Sequence, residues 1–230
     1  MILVGKSYSC LTPHLPFTNH TKILLFQNTI QRRTLILPRK PLIWFPGATY
    51  HIISKGIRSS SIFEDDEDHN KYLSLLAETK EKYNFTLQAY CLMTNHTHLQ
   101  LQTANDPPGK IMHALNLKYA KYFNQKYSYS GHVFDNRYFW ELVDSIGYEI
   151  ELSKYIHLNP LKAGIVNKPE DYPWSSYRAY VLHEKNNLIS SDRILSYFTE
   201  PQISNYIQFI QAEESPLAYA NLDIIGNAPV

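Results

Sequence analysis

The chain has 230 residues, of which 44% are hydrophobic and 19% are charged, and this size fits one globular domain with appendages rather than two full domains. No hydrophobic run approaches the roughly 18 residues of a membrane-spanning helix, and two cysteines, Cys10 and Cys91, are too few for a disulfide framework or a four-thiolate zinc site. We therefore expect a soluble protein of a reducing compartment, although the net charge of +1 is unevenly distributed.

The N-terminal segment is basic. Residues 1–63 contain eight Lys or Arg and no Asp or Glu, whereas the remainder carries 14 basic and 21 acidic residues. Up to about Pro41 the segment has prolines and scattered hydrophobic runs without a sustained period, so it predicts no regular element. Two interpretations stay open: an arm that binds nucleic acid, or a transit-like or mistranslated extension. We expect residues 1–40 to be a poorly ordered extension, 41–180 to be the domain and 181–230 a helical tail.

The first half of the predicted domain contains three strands and one helix. A Pro-Gly turn precedes the hydrophobic run 50–53, which predicts the first strand. Asp65 and Asp66 stand before residues with helical spacing, which predicts a helix over about 66–83. Hydrophobic residues on both sides of Thr94-Asn95 predict two antiparallel strands joined by a tight turn.

The second half alternates in the same way. Helical spacing returns over 108–127, and an aromatic strand follows at about 138–143. Ser145 offers an N-cap for a helix over 145–158, which Pro160 is expected to end. One or two amphipathic helices are expected after residue 181. The order βαββαβα predicts an α+β fold in which helices flank an antiparallel sheet.

Two histidines in the predicted hairpin are the first candidates for chemistry. His96 and His98 are two residues apart on a strand, so both side chains project from one face and can bind a divalent metal. The alternative is a pair of surface or hydrogen-bonded histidines. A β-lactamase-type metallohydrolase is disfavoured because Gln100 stands where an Asp is needed. An amidohydrolase barrel is disfavoured because it needs about 250 residues of repeating units.

A second candidate pair lies near the end of the helix predicted over 145–158. Tyr155 and Asn159 are four residues apart, so their side chains share one helix face. An amide oxygen suits Mg²⁺ or Mn²⁺, and two imidazoles would complete a ligand set with open positions for phosphate and water. The phenol would then be the nucleophile. Alternatively, the Tyr155 ring packs in the core and Asn159 only precedes a helix-ending proline. His157 lies on another face and is expected to be a structural hydrogen-bonding residue.

Basic residues suggest a nucleic-acid partner. The helix over 108–127 carries Lys110, Lys118, Lys121 and Lys126, with interleaved Tyr119, Tyr122 and Phe123. Such a face can grip a phosphate backbone and stack unpaired bases. The alternative is a solvated helix face with aromatic packing beneath it. Arg137, just before the aromatic strand, can clamp a phosphate through its guanidinium group.

Four sequence blocks, taken in order, are similar to one known family. They read MTNHTHLQL, SGHVFDNRYF, YIHLNPLKAGIV and PEDYPWSSYRAYV, and the opening RKPLIWFPGATYHIISKG precedes them. From about Arg39 to Tyr180 the chain resembles the REP-associated branch of the single-tyrosine HUH transposases. Two departures are visible: Thr97 replaces a bulky apolar residue between the histidines, and the first 40 residues have no counterpart.

The resemblance implies a fold, a reaction and a site. It implies a ferredoxin-like core sheet, a Mg²⁺ or Mn²⁺ ion, and cleavage of single-stranded DNA through a 5′-phosphotyrosine that leaves a free 3′-OH. His96 and His98 match the metal-binding histidines, Asn159 the third ligand and Tyr155 the nucleophile. We therefore predict a transposase that acts on single-stranded or hairpin DNA in the cytoplasm, as a monomer or homodimer and without a membrane. The alternatives are a catalytically idle hairpin-binding protein and a generic metal-dependent hydrolase.

Overall fold

The structure is a computed structural model that describes residues 43–212, and its core is one antiparallel sheet with the strand order β2-β3-β1-β4. The strands are β1 (Thr49–Lys55), β2 (Thr86–Met93), β3 (His96–Gln102) and β4 (Phe139–Val143). The helices are α1 (Asp66–Tyr83), α2 (Pro108–Lys126), α3 (Ile146–Lys162), α4 (Tyr177–Val181), α5 (Asp192–Leu195) and α6 (Gln202–Gln211). This order of elements confirms the predicted α+β, ferredoxin-like class. The predicted extension 1–40 lies outside the described residues, and the division into domains stays a prediction.

Local signals account for the first helix. Helix α1 spans the predicted residues because the Asp65 side chain accepts the Asp68 backbone N–H at 3.0 Å and caps the N-terminus. Asn84, with φ of 45°, adopts the left-handed conformation that ends the helix. Tyr72 and Leu76 form the face that the helix buries against the sheet. None of the helices within residues 43–212 is long and apolar enough to cross a membrane.

One face of the sheet packs against α1 and α2. Ser54 on β1 accepts a hydrogen bond from the Asn116 side chain of α2 at 3.0 Å, which identifies this face. The rings of Phe63, Tyr72 and Tyr119 pack between the helices with centroids 5.1 to 5.5 Å apart. Because side chains alternate along a strand, the residues on either side of Ser54 point to the opposite face.

Helix α3 covers that opposite face. Gln100 on β3 donates its side-chain N–H to the Glu149 carbonyl at the start of α3, with a distance of 2.9 Å. Cys91 and Met93 on β2 pack there against Tyr155 and other buried α3 residues. The same alternation places His96 and His98 on this face, beneath the helix that carries Tyr155.

The end of α3 corrects the sequence prediction, because Pro160 does not end the helix. The helix continues to Lys162 and stops at Gly164, whose φ is 67°. The Gly164 N–H donates to the Leu161 carbonyl and the Ile165 N–H donates to the Pro160 carbonyl, both at 3.0 Å, which is a Schellman motif. Pro160 is buried, and it removes only one N–H from the last turn of the helix.

Contacts with the C-terminal helices hold the middle of α3 in place. One of the amphipathic helices predicted after residue 181 is confirmed as α6, which buries Tyr206 and Ile210. His157 lies within 2.8 Å of the Tyr206 hydroxyl and 2.7 Å of the Ser176 hydroxyl, so its expected structural role is confirmed. The buried Lys154 amine donates to two carbonyls at the end of α6, both at 2.8 Å. The helix that carries Tyr155 is therefore held on both sides of that residue.

Candidate active site

Strand β3 and helix α3 bring the four predicted site residues together. The rings of His96 and His98 are 4.8 Å apart by centroid and nearly perpendicular. The Tyr155 ring lies 5.4 Å from the His98 ring, also nearly perpendicular. The Asn159 side chain, one helical turn further along α3, lies close enough to His96 to raise the pKa of its imidazole. Two imidazoles, one phenol and one amide therefore share a pocket between the sheet and α3.

Both imidazoles are neutral at physiological pH. Burial and, to a smaller extent, the Lys55 amine lower the pKa of His96 to about 4, against the opposing effect of the neighbouring Asn159 side chain. Burial also holds the pKa of His98 well below its usual value, aided by the neighbouring His96 and His51. A neutral imidazole has the lone pair that binding to a metal ion requires.

One atom of this pocket tests whether a metal ion fits. Nε2 of His98 is buried and has no hydrogen-bond partner among the described residues. A buried polar atom normally has a hydrogen-bond partner, so the unpartnered Nε2 atom is a suitable position for a bound ligand. No group of three or more His, Cys, Asp or Glu side chains within residues 43–212 is placed to hold a metal. The fitting set is two imidazoles and the Asn159 amide, which leaves room for water and phosphate oxygens.

His51, which no sequence pattern singled out, lies in the same pocket. His51 is fully buried on β1, and its Nε2 atom lies 3.0 Å from Nδ1 of His98. The two rings are nearly coplanar, with an angle of 18° between their planes and centroids 5.2 Å apart. Burial lowers the pKa of His51 to about 3. Only the pairing of β1 with β3 creates this contact, and strand pairing is not encoded in local periodicity.

Lys162 is a second residue that the sequence predictions overlooked. Its amine lies 5.5 Å from the centroid of the Tyr155 ring. Tyr155, Asn159 and Lys162 follow an i, i+4, i+7 pattern, which places all three on one face of α3. That spacing could have predicted from the sequence that a cation lies beside the phenol.

Arg137 stands at the same end of the sheet as His96. Lys55 is the register partner of His96 in the β1–β3 pair, and the Asp135 N–H donates to the Lys55 carbonyl at 2.9 Å. The segment that leads into β4 therefore runs beside this end of β1. Arg137 is exposed there, where it can contact a phosphate that enters the pocket.

The predicted lysines of α2 lie across the sheet from the imidazoles. The amine of Lys118 is 2.9 Å from the Glu78 carboxylate, and Lys121 is exposed. Lys126 is held by three carboxylates at distances of 2.8 to 3.0 Å, those of Asp65, Glu67 and Asp68. These contacts give Lys126 a structural role, because its positive charge is paired with carboxylates of the protein itself.

The aromatic residues between these lysines correct another prediction. Tyr119 and Phe123 are buried, so the expectation that their rings stack on unpaired bases is wrong. The Tyr119 hydroxyl donates to the Ile62 carbonyl, and the Tyr122 hydroxyl donates to Asp68 at 2.9 Å. The alternative interpretation applies here: aromatic packing lies beneath a solvated helix face.

Comparisons with known proteins find a matching family model and several similar proteins. Residues 45–159, half of the chain, match the family model described as "Transposase IS200 like". A curated protein from Haemophilus influenzae, described as a REP-associated tyrosine transposase, is 29% identical over 130 residues, which are 50% of this chain and 72% of that protein. A solved REP-associated tyrosine transposase bound to a REP hairpin superposes with a TM-score of 0.55 at 16% identity and covers 68% of this chain and 90% of its own, which shows a shared fold. A crystal structure of a Deinococcus radiodurans transposase matches with a TM-score of 0.36 at 18% identity, over 52% and 95% of the two chains.

Proposed function

The chain belongs to the family of IS200-like transposases, and we propose that it is a metal-dependent single-stranded DNA endonuclease and strand transferase with Tyr155 as its nucleophile. The observation that carries the proposal is the placement of the Tyr155 ring against His98, with the Asn159 side chain beside His96. A phenol, two neutral imidazoles and an amide in one pocket suit phosphoryl transfer, in which positioning and charge stabilisation do most of the work.

In the proposed reaction, the Tyr155 oxygen attacks the scissile phosphorus and displaces the 3′ oxygen. A bond forms between the phenol oxygen and phosphorus, and the bond from phosphorus to the 3′ oxygen breaks. The phenol proton is transferred overall to the leaving 3′ oxygen, which becomes the free 3′-OH. The 5′ end stays attached to Tyr155 as a phosphotyrosine. Attack by a 3′-OH on this linkage reverses the step and rejoins DNA without a nucleotide cofactor, because the phosphodiester bond energy is preserved.

His96, His98 and Asn159 would hold Mg²⁺ or Mn²⁺. When bound, such an ion supplies charge that polarises a phosphoryl oxygen. The residues of the chain have complementary tasks. Helix α3 fixes the phenol through the packing of its ring, and the cations of Arg137 and Lys162 attract the DNA phosphate toward it.

The proposed substrate is single-stranded DNA that carries a hairpin. The solved relative with a TM-score of 0.55 is bound to a REP hairpin, and we extend that partner to this chain. Lys118 and Lys121 are proposed as further phosphate contacts on α2, away from the pocket. Lys126 is not included, because three carboxylates already surround its amine. The enzyme would act on chromosomal DNA in the cytoplasm, as a monomer or homodimer.

The test is a gel assay with a single strand labelled on the 3′ side of a hairpin-adjacent site, run with Mg²⁺ or Mn²⁺. A labelled band that survives denaturation at the mass of protein plus DNA supports the proposal, because it reports a covalent adduct. A native shift without an adduct would indicate a hairpin-binding protein. Release of cut DNA without an adduct would indicate a metal-dependent hydrolase, and either of these outcomes contradicts the tyrosine mechanism.

A further inference from the structure

His51 and His98 share one proton between two buried rings. Nε2 of His51 and Nδ1 of His98 are 3.0 Å apart, and a hydrogen bond at this distance between neutral imidazoles needs one donor and one acceptor. The outer nitrogen of each ring, Nδ1 of His51 and Nε2 of His98, is buried and has no partner among the described residues. The direction of the shared hydrogen bond therefore decides which outer nitrogen carries a proton.

Only one direction of the His51–His98 hydrogen bond leaves a lone pair on Nε2 of His98, an atom without a partner among the described residues. If His98 donates from Nδ1, its Nε2 atom is unprotonated and available to an ion. If His51 donates instead, Nε2 of His98 carries the proton, which blocks ligation, and Nδ1 of His51 becomes the unprotonated outer nitrogen.

Gln100 carries a buried acceptor at the strand position paired with His51. Gln100 is the register partner of His51, so the two side chains lie on the same face of the sheet. Its side-chain N–H donates to the Glu149 carbonyl, which identifies its Oε1 as an acceptor, and this oxygen is buried and unpartnered among the described residues. When His98 donates to His51, the remaining proton of His51 is on Nδ1, and Oε1 of Gln100 is an acceptor on the paired residue, although the two atoms are not hydrogen-bonded in this structure. The reverse direction would leave two acceptors there.

We propose that His51 is a positioning residue that accepts the Nδ1 proton of His98 and so presents the Nε2 lone pair of His98 to the metal ion. This inference rests on the proposed metal site and assigns His51 no contact with DNA or with the ion. Hydrogen bonds from a second layer of residues fix the orientation and tautomer of metal-binding histidines in this way, and their loss typically weakens metal binding about 10- to 100-fold.

Two substitutions separate the hydrogen bond from the volume of the ring. In the His51→Gln variant an amide oxygen can occupy the place of Nε2 and still accept the proton. In the His51→Leu variant a side chain of comparable bulk offers no acceptor. His69 supplies a matched control, because it is a buried histidine stacked between Phe63 and Trp174, and His69→Leu removes an imidazole from another part of the core.

The experiment combines Mn²⁺ titration by calorimetry with nitrogen NMR of the histidine rings in metal-free protein, after thermal melting has shown that each variant is folded. We expect His51→Leu to weaken Mn²⁺ binding about 10- to 100-fold. We expect His51→Gln and His69→Leu to stay close to wild type. In the wild type, the NMR spectrum should show His98 as the Nδ1–H tautomer.

Failure of this inference is distinct from failure of the proposed function. A wild-type protein that binds Mn²⁺ while His51→Leu binds it equally well would overturn the role of His51 and leave the metal site intact. The Nε2–H tautomer at His98 in the wild type would overturn it as well. A folded wild type that binds no Mn²⁺, even with a hairpin strand present, would instead overturn the metal site itself.

Discussion

The Tyr155 ring lies edge-on to the His98 imidazole, with ring centroids 5.4 Å apart and planes at 88°. This contact joins residues 57 positions apart in sequence, one on α3 and one on β3. The Tyr155 side chain is only 5% exposed, so packing rather than solvent fixes its orientation. A phenol held in this way loses little further freedom when a phosphate arrives, which favours its use as a nucleophile.

Replacing Tyr155 with phenylalanine should abolish covalent attachment to DNA. Only the hydroxyl is removed, and the ring that packs against the sheet is kept, so hairpin binding should stay within a few-fold of wild type. Denaturing gels measure the adduct and native gels measure the binding. Tyr148→Phe is the control, because the Tyr148 hydroxyl donates to Glu141 at 2.7 Å and lies on the same helix. An adduct that persists in Tyr155→Phe and disappears in Tyr148→Phe would transfer the nucleophile role to Tyr148.

His96→Ala and His98→Ala should each reduce cleavage to background. One imidazole and one amide would remain in either variant, which is too few ligands to orient a phosphate around a hard cation. Treatment of the wild type with EDTA should reproduce the loss, and added Mg²⁺ or Mn²⁺ should restore cleavage in the wild type alone. Cleavage by the wild type that continues in EDTA would exclude the ion from the mechanism.

Local signals in the sequence predicted much of this fold. The Asp65 cap and the period that follows it predicted α1, and the turn at Thr94-Asn95 predicted the β2–β3 hairpin, because both depend on neighbouring residues. The resemblance to REP-associated tyrosine transposases is confirmed by the family model and the relatives. It placed His96 and Tyr155 in one site without knowledge of their distance.

Contacts between segments distant in the chain could not be predicted from sequence patterns. His51 meets His98 across 47 positions because β1 pairs with β3. Helix α3 continues through the buried Pro160 against the local tendency of proline to end a helix, and tertiary context commonly overrides such a preference. Lys126 contacts Asp65 and Asp68 from about 60 positions away, so its charge is neutralised by a partner that no local pattern indicates.

Lys126 and Lys121 should respond in opposite ways to replacement by methionine. Lys126→Met should lower the melting temperature, because the buried Asp68 carboxylate loses a cationic partner, and should leave DNA affinity unchanged. Lys121→Met should change the unfolding free energy by no more than about 0.5 kcal/mol and should reduce the salt slope of DNA binding by about one. Melting curves and a salt series of binding measurements check both. A smaller salt dependence of DNA binding in Lys126→Met would show that Lys126 contacts DNA after all.

Asp68 should make the fold sensitive to acid. Burial alone would raise the pKa of its carboxyl group, but hydrogen bonds from the Glu64 N–H, Lys126 and two tyrosine hydroxyls outweigh burial and hold the pKa below its usual value. A lowered pKa in the folded state stabilises the protein above the unfolded pKa of about 4, and this stabilisation is lost as the pH falls through the folded value.

Asp68→Asn should therefore lower the unfolding free energy at pH 7 by about 1 to 3 kcal/mol, and the gap to wild type should narrow below pH 4. Denaturant unfolding at several pH values measures both effects. A gap that stays constant from pH 7 to pH 2.5 would show that the charge of Asp68 contributes nothing.

Peptide mapping of the protein–DNA adduct tests the tyrosine mechanism most directly. Trypsin cuts after Lys154 and after Lys162, so the peptide between them contains Tyr155 and no other tyrosine, whereas Tyr138 and Tyr148 fall together on the preceding peptide. After nuclease digestion of the adduct, mass spectrometry locates the remaining phosphonucleotide. We expect it on the peptide 155–162, attached to Tyr155 through the 5′ phosphate. A phosphonucleotide on the preceding peptide would contradict the assignment of Tyr155 as the nucleophile.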